Sequence, residues 1–191
     1  PVVGEENTFF LAWTTTPWTL PSNLALCVNA KMTYVKFYDE DRKQSFYMLE
    51  KLMGTLPNAK KAHRKVVAKM PGSELVGKKY TPLFPYFADR ATCFVVLSDD
   101  YVSDDSGTGI VHQAPGFGED DYRVCLAHHI VEKGTDLVCP IDLTGKYTAE
   151  VPEYQGRYVK DCDKDIIARL KKEGKLFHEG VITHNYPYCW R

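Results

Sequence analysis

Two stretches of the sequence carry residues able to do chemistry together. The first is Trp13-Thr14-Thr15-Thr16-Pro17-Trp18-Thr19-Leu20-Pro21-Ser22-Asn23. Three consecutive threonines at the end of an apolar run, with a rigid Pro-Trp after them, offer hydroxyls and backbone groups at a fixed place. The plainer reading of the same pattern is a strand terminus of β-branched residues followed by a proline turn. The second stretch is Gly107-Thr108-Gly109-Ile110-Val111-His112-Gln113-Ala114-Pro115-Gly116-Phe117-Gly118-Glu119-Asp120-Asp121-Tyr122. Here a strand ends in His112, glycines and Pro115 turn the chain, and a helix begins near Glu119. His112 and Asp121 then face each other across a strand-to-helix turn. The plainer reading makes the acids a complement to the helix dipole and His112 a satisfied core or loop histidine.

Other chemical motifs fail on inspection. Gly72-Ser73-Glu74-Leu75-Val76-Gly77-Lys78-Lys79 approaches a phosphate-binding loop, but Lys79 stands where a magnesium-binding Ser or Thr is needed. Pro82 and Pro85 also forbid the helix that must follow, so a surface turn is expected. Gly107-x-Gly109 lacks the third glycine of a dinucleotide fingerprint, and no G-x-S-x-G or H-E-x-x-H motif occurs. His128 and His129 are adjacent on an expected helix, about 100° apart, and read as one core and one surface histidine. The acidic stretch Asp99–Asp105 lacks calcium-loop spacing. No metal site and no cofactor is expected.

The elements that must position the two stretches are short. Strands are expected over Thr8–Trp13, Leu24–Val28, Met32–Tyr38 and Phe46–Leu49, the last two as a hairpin across the charged turn Asp39–Lys43. Further strands are expected over His63–Met70, Thr92–Leu97, Gly109–His112 and Leu176–His184. The Thr14–Pro21 stretch, with two prolines, is expected to be neither regular sheet nor helix, and Thr81–Phe87 a packed loop. Helical spacing covers Gly118–Val131, with Tyr122, Cys125, Leu126, His129 and Ile130 on one stripe. A second helix, Asp161–Glu173, is acidic at its start and basic at its end, and Gly174 stops it. Many short strands with a few helices predict an α+β fold, a β-barrel-like core with peripheral helices. With no internal repeat or low-complexity linker, residues 1–191 read as a single domain.

Bulk composition narrows the function classes. Lys+Arg 24 against Asp+Glu 25 gives a net charge of −1, so no global basic field exists to bind a long duplex by counterion release. Any nucleic-acid contact is local and short. The cysteines at 27, 93, 125, 139, 162 and 189 form no CxxC and no zinc spacing, as expected of reduced thiols. No signal peptide, N-glycosylation site or membrane-length apolar run is present, and a cytoplasmic location is expected. Pro1 opens directly onto an apolar run, and Tyr188-Cys189-Trp190-Arg191 closes without a tail, so both ends look like cuts through a longer protein.

Taken together, the Trp-Thr-Thr-Thr-Pro-Trp-Thr-Leu-Pro-x-Asn block and the Gly-Thr-Gly-Ile-Val-His-x-Ala-Pro block with its downstream Asp121 resemble the editing (CP1) insertion of isoleucyl-tRNA synthetases. Valyl and leucyl relatives carry Thr-Thr-Arg-Pro at the first block, whereas Thr16 and Trp18 here take the isoleucyl form. His184-Asn185-Tyr186-Pro187-Tyr188-Cys189-Trp190-Arg191 is similar to the segment where that family's chain returns to its catalytic domain. Val-His-Gln-Ala-Pro-Gly-Phe-Gly and the Tyr158–Glu173 region look closer to eukaryotic cytosolic members. The ATP-binding signatures of the synthetase are absent, so aminoacylation is not expected of this segment.

The resemblance implies hydrolysis of valine from the 3′-terminal adenosine of tRNA(Ile), with valyl-adenylate as a second possible substrate. It implies that Asp121 answers the α-ammonium by a charge-assisted hydrogen bond. Thr14, Thr15 and Thr16 would line the side-chain pocket and place the ester or the water, and His112 would stand at the reacting end and limit pocket size. Trp13, Trp18 and Asn23 join Asp121 as substrate-binding residues. With no strong general base in view, water would be oriented with help from a ribose hydroxyl. The implied partners are tRNA(Ile) and the rest of the synthetase, with no membrane and a monomeric chain. Two alternatives stay open: a valyl-tRNA synthetase editing domain clearing threonine, and a module that binds the tRNA 3′ end without hydrolysis.

Overall fold

The computed structural model describes residues 1–59, 63–134 and 136–181. Seven strands run in chain order: β1 (Thr8–Phe10), β2 (Ala25–Val28), β3 (Thr33–Asp39), β4 (Gln44–Leu49), β5 (Arg64–Pro71), β6 (Val95–Ser98) and β7 (Val111–Gln113). The helices are α1 (Glu119–Ala127) and α2 (Val159–Lys172). The fold is α+β, as expected, but its strands form two open sheets of order β1-β4-β3-β5 and β6-β2-β7, and no closed barrel joins them among the described residues.

The expected hairpin is present, β3 pairing antiparallel with β4 from Tyr34↔Leu49 to Asp39↔Gln44. β1 lies parallel to β4, and β2 lies parallel to β6 and antiparallel to β7. β2 is central and wholly buried, which explains its unbroken apolar Ala25-Leu26-Cys27-Val28. Tyr34, Val35, Phe37 and Met48 from one sheet share a core with Leu24–Val28 and Val96 from the other, and Val124 and Cys125 of α1 close it. A second cluster forms where Val159, Cys162, Ile166 and Leu170, one face of α2, pack with Leu20, Tyr147 and Tyr154.

Several sequence expectations need correction. The Thr-Pro block contains a 3₁₀ helix, Pro17–Ser22, because Pro17 sits at its first turn, where the missing N–H costs nothing and the ring presets φ. The first helix stops at Ala127 rather than Val131, and His129 takes a left-handed φ of 57°. His128 and His129 are both exposed, so neither is a core histidine. The strand expected over Leu176–His184 is irregular chain through Val181, and residues 182–184 lie outside the described residues, as does the 184–191 segment. The near-phosphate loop, by contrast, is the short turn expected, a single 3₁₀ turn over Gly72–Glu74.

Three contacts pin the second stretch against the chain just after β1 and against the β3–β4 hairpin. The Thr108 hydroxyl donates to Leu11 O at 2.6 Å, and Leu49 N–H donates to Thr108 O at 2.8 Å. The Tyr34 phenol donates to Gly109 O at 2.6 Å. Gly109 takes φ +72°, and a Cβ there would stand 2.4 Å from the Leu49 Cβ, so only glycine lets this segment lie so close to β4.

Candidate active site

A cavity of about 340 Å³ opens between the end of the β1 segment and the β7–α1 turn. Trp13, Thr14, Thr15, Thr16, His112 and Asp121 all line it. Sequence reasoning missed further lining residues, among them Thr19, Tyr101, Thr108 and Phe117. Thr19 lay inside the first block and Thr108 inside the second, so block membership was the only signal for them; Tyr101 carried none.

The threonines are not equivalent. The Thr16 N–H donates to the Thr14 hydroxyl at 3.0 Å, and the Thr14 and Thr16 hydroxyls lie 3.3 Å apart. Thr14 therefore stiffens the turn with its own oxygen. The Thr15 hydroxyl makes no side-chain hydrogen bond among the described residues and lines the cavity, which leaves it free for a bound molecule or a water.

His112 is held at both ring nitrogens. Nδ1 lies 3.2 Å from Asn23 Nδ2, and Nε2 lies 2.9 Å from the Thr19 hydroxyl. Asn23 Nδ2 also donates to Ala25 O at 2.9 Å, so it is the amide nitrogen that faces the ring and Nδ1 accepts. The neutral ring then carries its proton on Nε2 and donates to Thr19, whose hydroxyl passes its own hydrogen to Thr16 O at 2.9 Å. Burial lowers the His112 pKa to about 4. A neutral imidazole with both nitrogens committed is a wall of the cavity rather than a general base.

Asn23 stands behind His112, buried, and does not line the smaller cavity. It lines a larger groove of about 1130 Å³ that shares Trp13, Thr14, Thr15 and His112 with the smaller cavity and is also lined by Leu11, Tyr80, Leu170 and Phe177. Trp18 does not line the smaller cavity either, against the expectation of substrate contact. Its ring packs edge-on against Phe117 at 5.1 Å. Its backbone N–H donates to Asp163 Oδ1 at 2.9 Å, and its carbonyl accepts from the Tyr147 phenol at 2.6 Å. Trp18 thus ties the threonine block to α2.

Asp121 sits in the first turn of α1, where its Oδ2 accepts the Ala114 N–H at 2.9 Å. That bond closes the turn between strand and helix. A Cβ on Gly118 would fall 2.9 Å from the carboxyl carbon, so Gly118 makes room for the side chain. Burial raises the Asp121 pKa, with the neighbouring Asp120 adding to the effect. Asp121 is a half-buried carboxylate with no cationic side-chain partner among the described residues, and any cation that enters the cavity stabilises it.

The fold is shared with known proteins. Solved structures with the same fold are leucyl-tRNA synthetase editing domains. One described as GlLeuRS-CP1 superposes with a TM-score of 0.69 at 16% identity over 96% of this chain and 87% of its own. The P. knowlesi cytosolic leucyl-tRNA synthetase editing domain gives 0.61 at 14% identity over 87% and 82%. The fold is that of the aminoacyl-tRNA synthetase editing domains. No family model matches the chain. In sequence the chain is similar, along its whole length, to a segment of cytoplasmic isoleucine–tRNA ligases. The relative from Saccharomyces cerevisiae is 53% identical over 100% of the chain and 18% of its own length. The relatives from Arabidopsis thaliana and Mus musculus are 48% and 49% identical over 100% of the chain, and 19% and 15% of their own lengths. The chain thus spans less than a fifth of these relatives. Their names agree with the expected cytoplasmic location, and among the described residues no helix is long and apolar enough to cross a membrane.

Proposed function

We propose that the chain is the editing module of an isoleucyl-tRNA synthetase and hydrolyses valine from tRNA(Ile). The observation that carries this reading is the convergence of Thr14–Thr16, His112 and Asp121, drawn from two distant stretches, on one cavity. A cavity of about 340 Å³ suits an aminoacyl group with part of its ribose, being at the small end of ligand sites.

Each lining group has a task in such a reaction. The Asp121 carboxylate meets the α-ammonium, which replaces the water it has lost. The Thr15 hydroxyl, free of side-chain hydrogen bonds among the described residues, orients the ester or the attacking water. His112 bounds the side-chain pocket. An ester already activated by adenosine needs a placed water more than a strong base. The need for the module is energetic. One methylene is worth about 1–3 kcal/mol in an apolar pocket, a limit for which isoleucine–valine selection by isoleucyl-tRNA synthetase is itself the standard illustration. A second pocket that admits valine and rejects isoleucine makes up the shortfall.

The test is deacylation of Val-tRNA(Ile) against Ile-tRNA(Ile), with Thr-tRNA(Val) as a third substrate. Preferential loss of valine supports the reading. Preferential loss of threonine would move it to the valyl system, and binding of all three without hydrolysis would leave only a 3′-end binding module.

A further inference from the structure

A buried residue outside the cavity controls its wall. We propose that Tyr80 is a positioning residue: its phenol orients the Asn23 amide, and the amide fixes the protonated nitrogen and the ring plane of His112, hence the width of the side-chain pocket. The effect on specificity rests on the editing reading; the control of the tautomer rests on geometry alone.

Tyr80 is 7% exposed and donates from its phenol to Asn23 Oδ1 at 2.5 Å. Asn23, also 7% exposed, forks its two amide hydrogens between Ala25 O and His112 Nδ1. The Ala25 carbonyl can only accept, and so can the Thr16 carbonyl at the far end of the relay. Each donor between them therefore has one direction: Tyr80 to Asn23, Asn23 to His112, His112 to Thr19, Thr19 to Thr16. The imidazole is gripped on opposite nitrogens, so its plane as well as its proton is set. The Tyr80 ring is fixed in turn by edge contacts with Phe94 at 6.0 Å and Phe10 at 6.5 Å, and by its own N–H on Phe94 O at 3.0 Å.

Removing the phenol oxygen leaves Asn23 Oδ1 buried without a donor. A buried acceptor in that state seeks another. The amide can satisfy that oxygen by turning it toward His112 Nδ1, giving up its bond to Ala25 O, while the ring moves its proton from Nε2 to Nδ1. With Nε2 now an acceptor, Thr19 must turn its hydrogen from Thr16 O to the ring, and the ring plane shifts with the turned amide.

The experiment compares wild type with Tyr80→Phe, which keeps the ring contacts. The 191-residue chain is labelled with ¹⁵N at histidine, the His112 signals are assigned by their absence in His112→Gln, and two-bond ¹⁵N–¹H correlations at pH 7 report which nitrogen carries the proton. Deacylation of Val-tRNA(Ile) and Ile-tRNA(Ile) is measured on the same samples. The expected result is an Nε2–H ring in wild type, an Nδ1–H or mixed ring in Tyr80→Phe, and a fall in the valine-to-isoleucine ratio of about tenfold, the scale of one misplaced hydrogen bond. A folded Tyr80→Phe with an unchanged Nε2–H ring overturns the proposal. Should Tyr80→Phe not fold, Asn23→Asp takes its place: a carboxylate oxygen facing Nδ1 must draw the proton there, and an unmoved proton again overturns it. If the proton moves but wild type shows no preference for valine, the editing reading fails and the positioning role stands. If wild type prefers valine and the proton does not move, the reverse holds.

Discussion

At the scale of single residues, Asp121 and His112 make opposite demands on stability. A half-buried carboxylate with a raised pKa is a cost to the folded state at neutral pH, and that cost fades as pH falls through its raised pKa. Asp121→Asn keeps an oxygen for the Ala114 N–H and removes the charge. We expect it to melt at or above the wild-type temperature while clearance of Val-tRNA(Ile) drops about 30- to 1000-fold, the effect of losing a buried charged partner worth roughly 2–4 kcal/mol. Parallel thermal melts and deacylation rates check this; a drop in both would make Asp121 structural. His112 works the other way. Its folded pKa of about 4 lies below the ordinary histidine value of 6.5. Its contribution is complete above pH 6.5, is lost as the unfolded chain takes up a proton below that, and levels off below about pH 4. The loss is on the order of 3 kcal/mol. Urea titrations at stepped pH should show it in wild type and not in His112→Gln. Glu5 and Asp99, held near pKa 2 despite burial by hydrogen bonds from Lys36 and Lys78 and from Arg123 respectively, titrate in a separate, lower window.

At the scale of elements, the site depends on two close approaches. The first is the 107–110 segment against β4. Gly109→Ala must place a methyl 2.4 Å from the Leu49 Cβ at a left-handed φ, and we expect it to cost about 2–4 kcal/mol, more than a strain-free exchange would; a denaturation midpoint measures it. The second is α2 against the Pro17–Ser22 turn. Asp163→Ala strips the Trp18 N–H of its acceptor. It should cost about 1–3 kcal/mol and slow deacylation with little change in the affinity for substrate, because it loosens the threonines rather than a contact. Equal KM effects would argue for a direct role of Trp18. The elements themselves were largely legible. Alternation gave the β3–β4 hairpin, and the apolar face and charge gradient gave α2. The 3₁₀ helix was not legible, since Pro17 breaks an α-helix as readily as it starts a tight turn. The end of α1 was missed because Ile130 and Val131 are buried from a loop, and burial alone continues a helical stripe. The site was readable as two blocks but not as a relay. Tyr80 and Thr19 gain their roles only from partners far away in sequence, and Trp18, read as a contact, is a strut.

At the scale of the whole molecule, two open sheets sharing one core place the threonine block and the β7–α1 turn on the same side, with α2 as an outer brace. The near-neutral charge of the chain predicts weak binding to tRNA on its own, because few phosphates would be neutralised. The relatives are more than five times longer than this chain, and on the proposed reading the remaining contacts to tRNA would come from the rest of such a synthetase. The central claim is therefore tested most directly in the synthetase that carries this segment. Clearance of Val-tRNA(Ile) and charging with isoleucine are measured side by side for wild type and Asp121→Ala. Collapse of valine clearance with isoleucine charging intact is the predicted result; undiminished valine clearance in Asp121→Ala would contradict it.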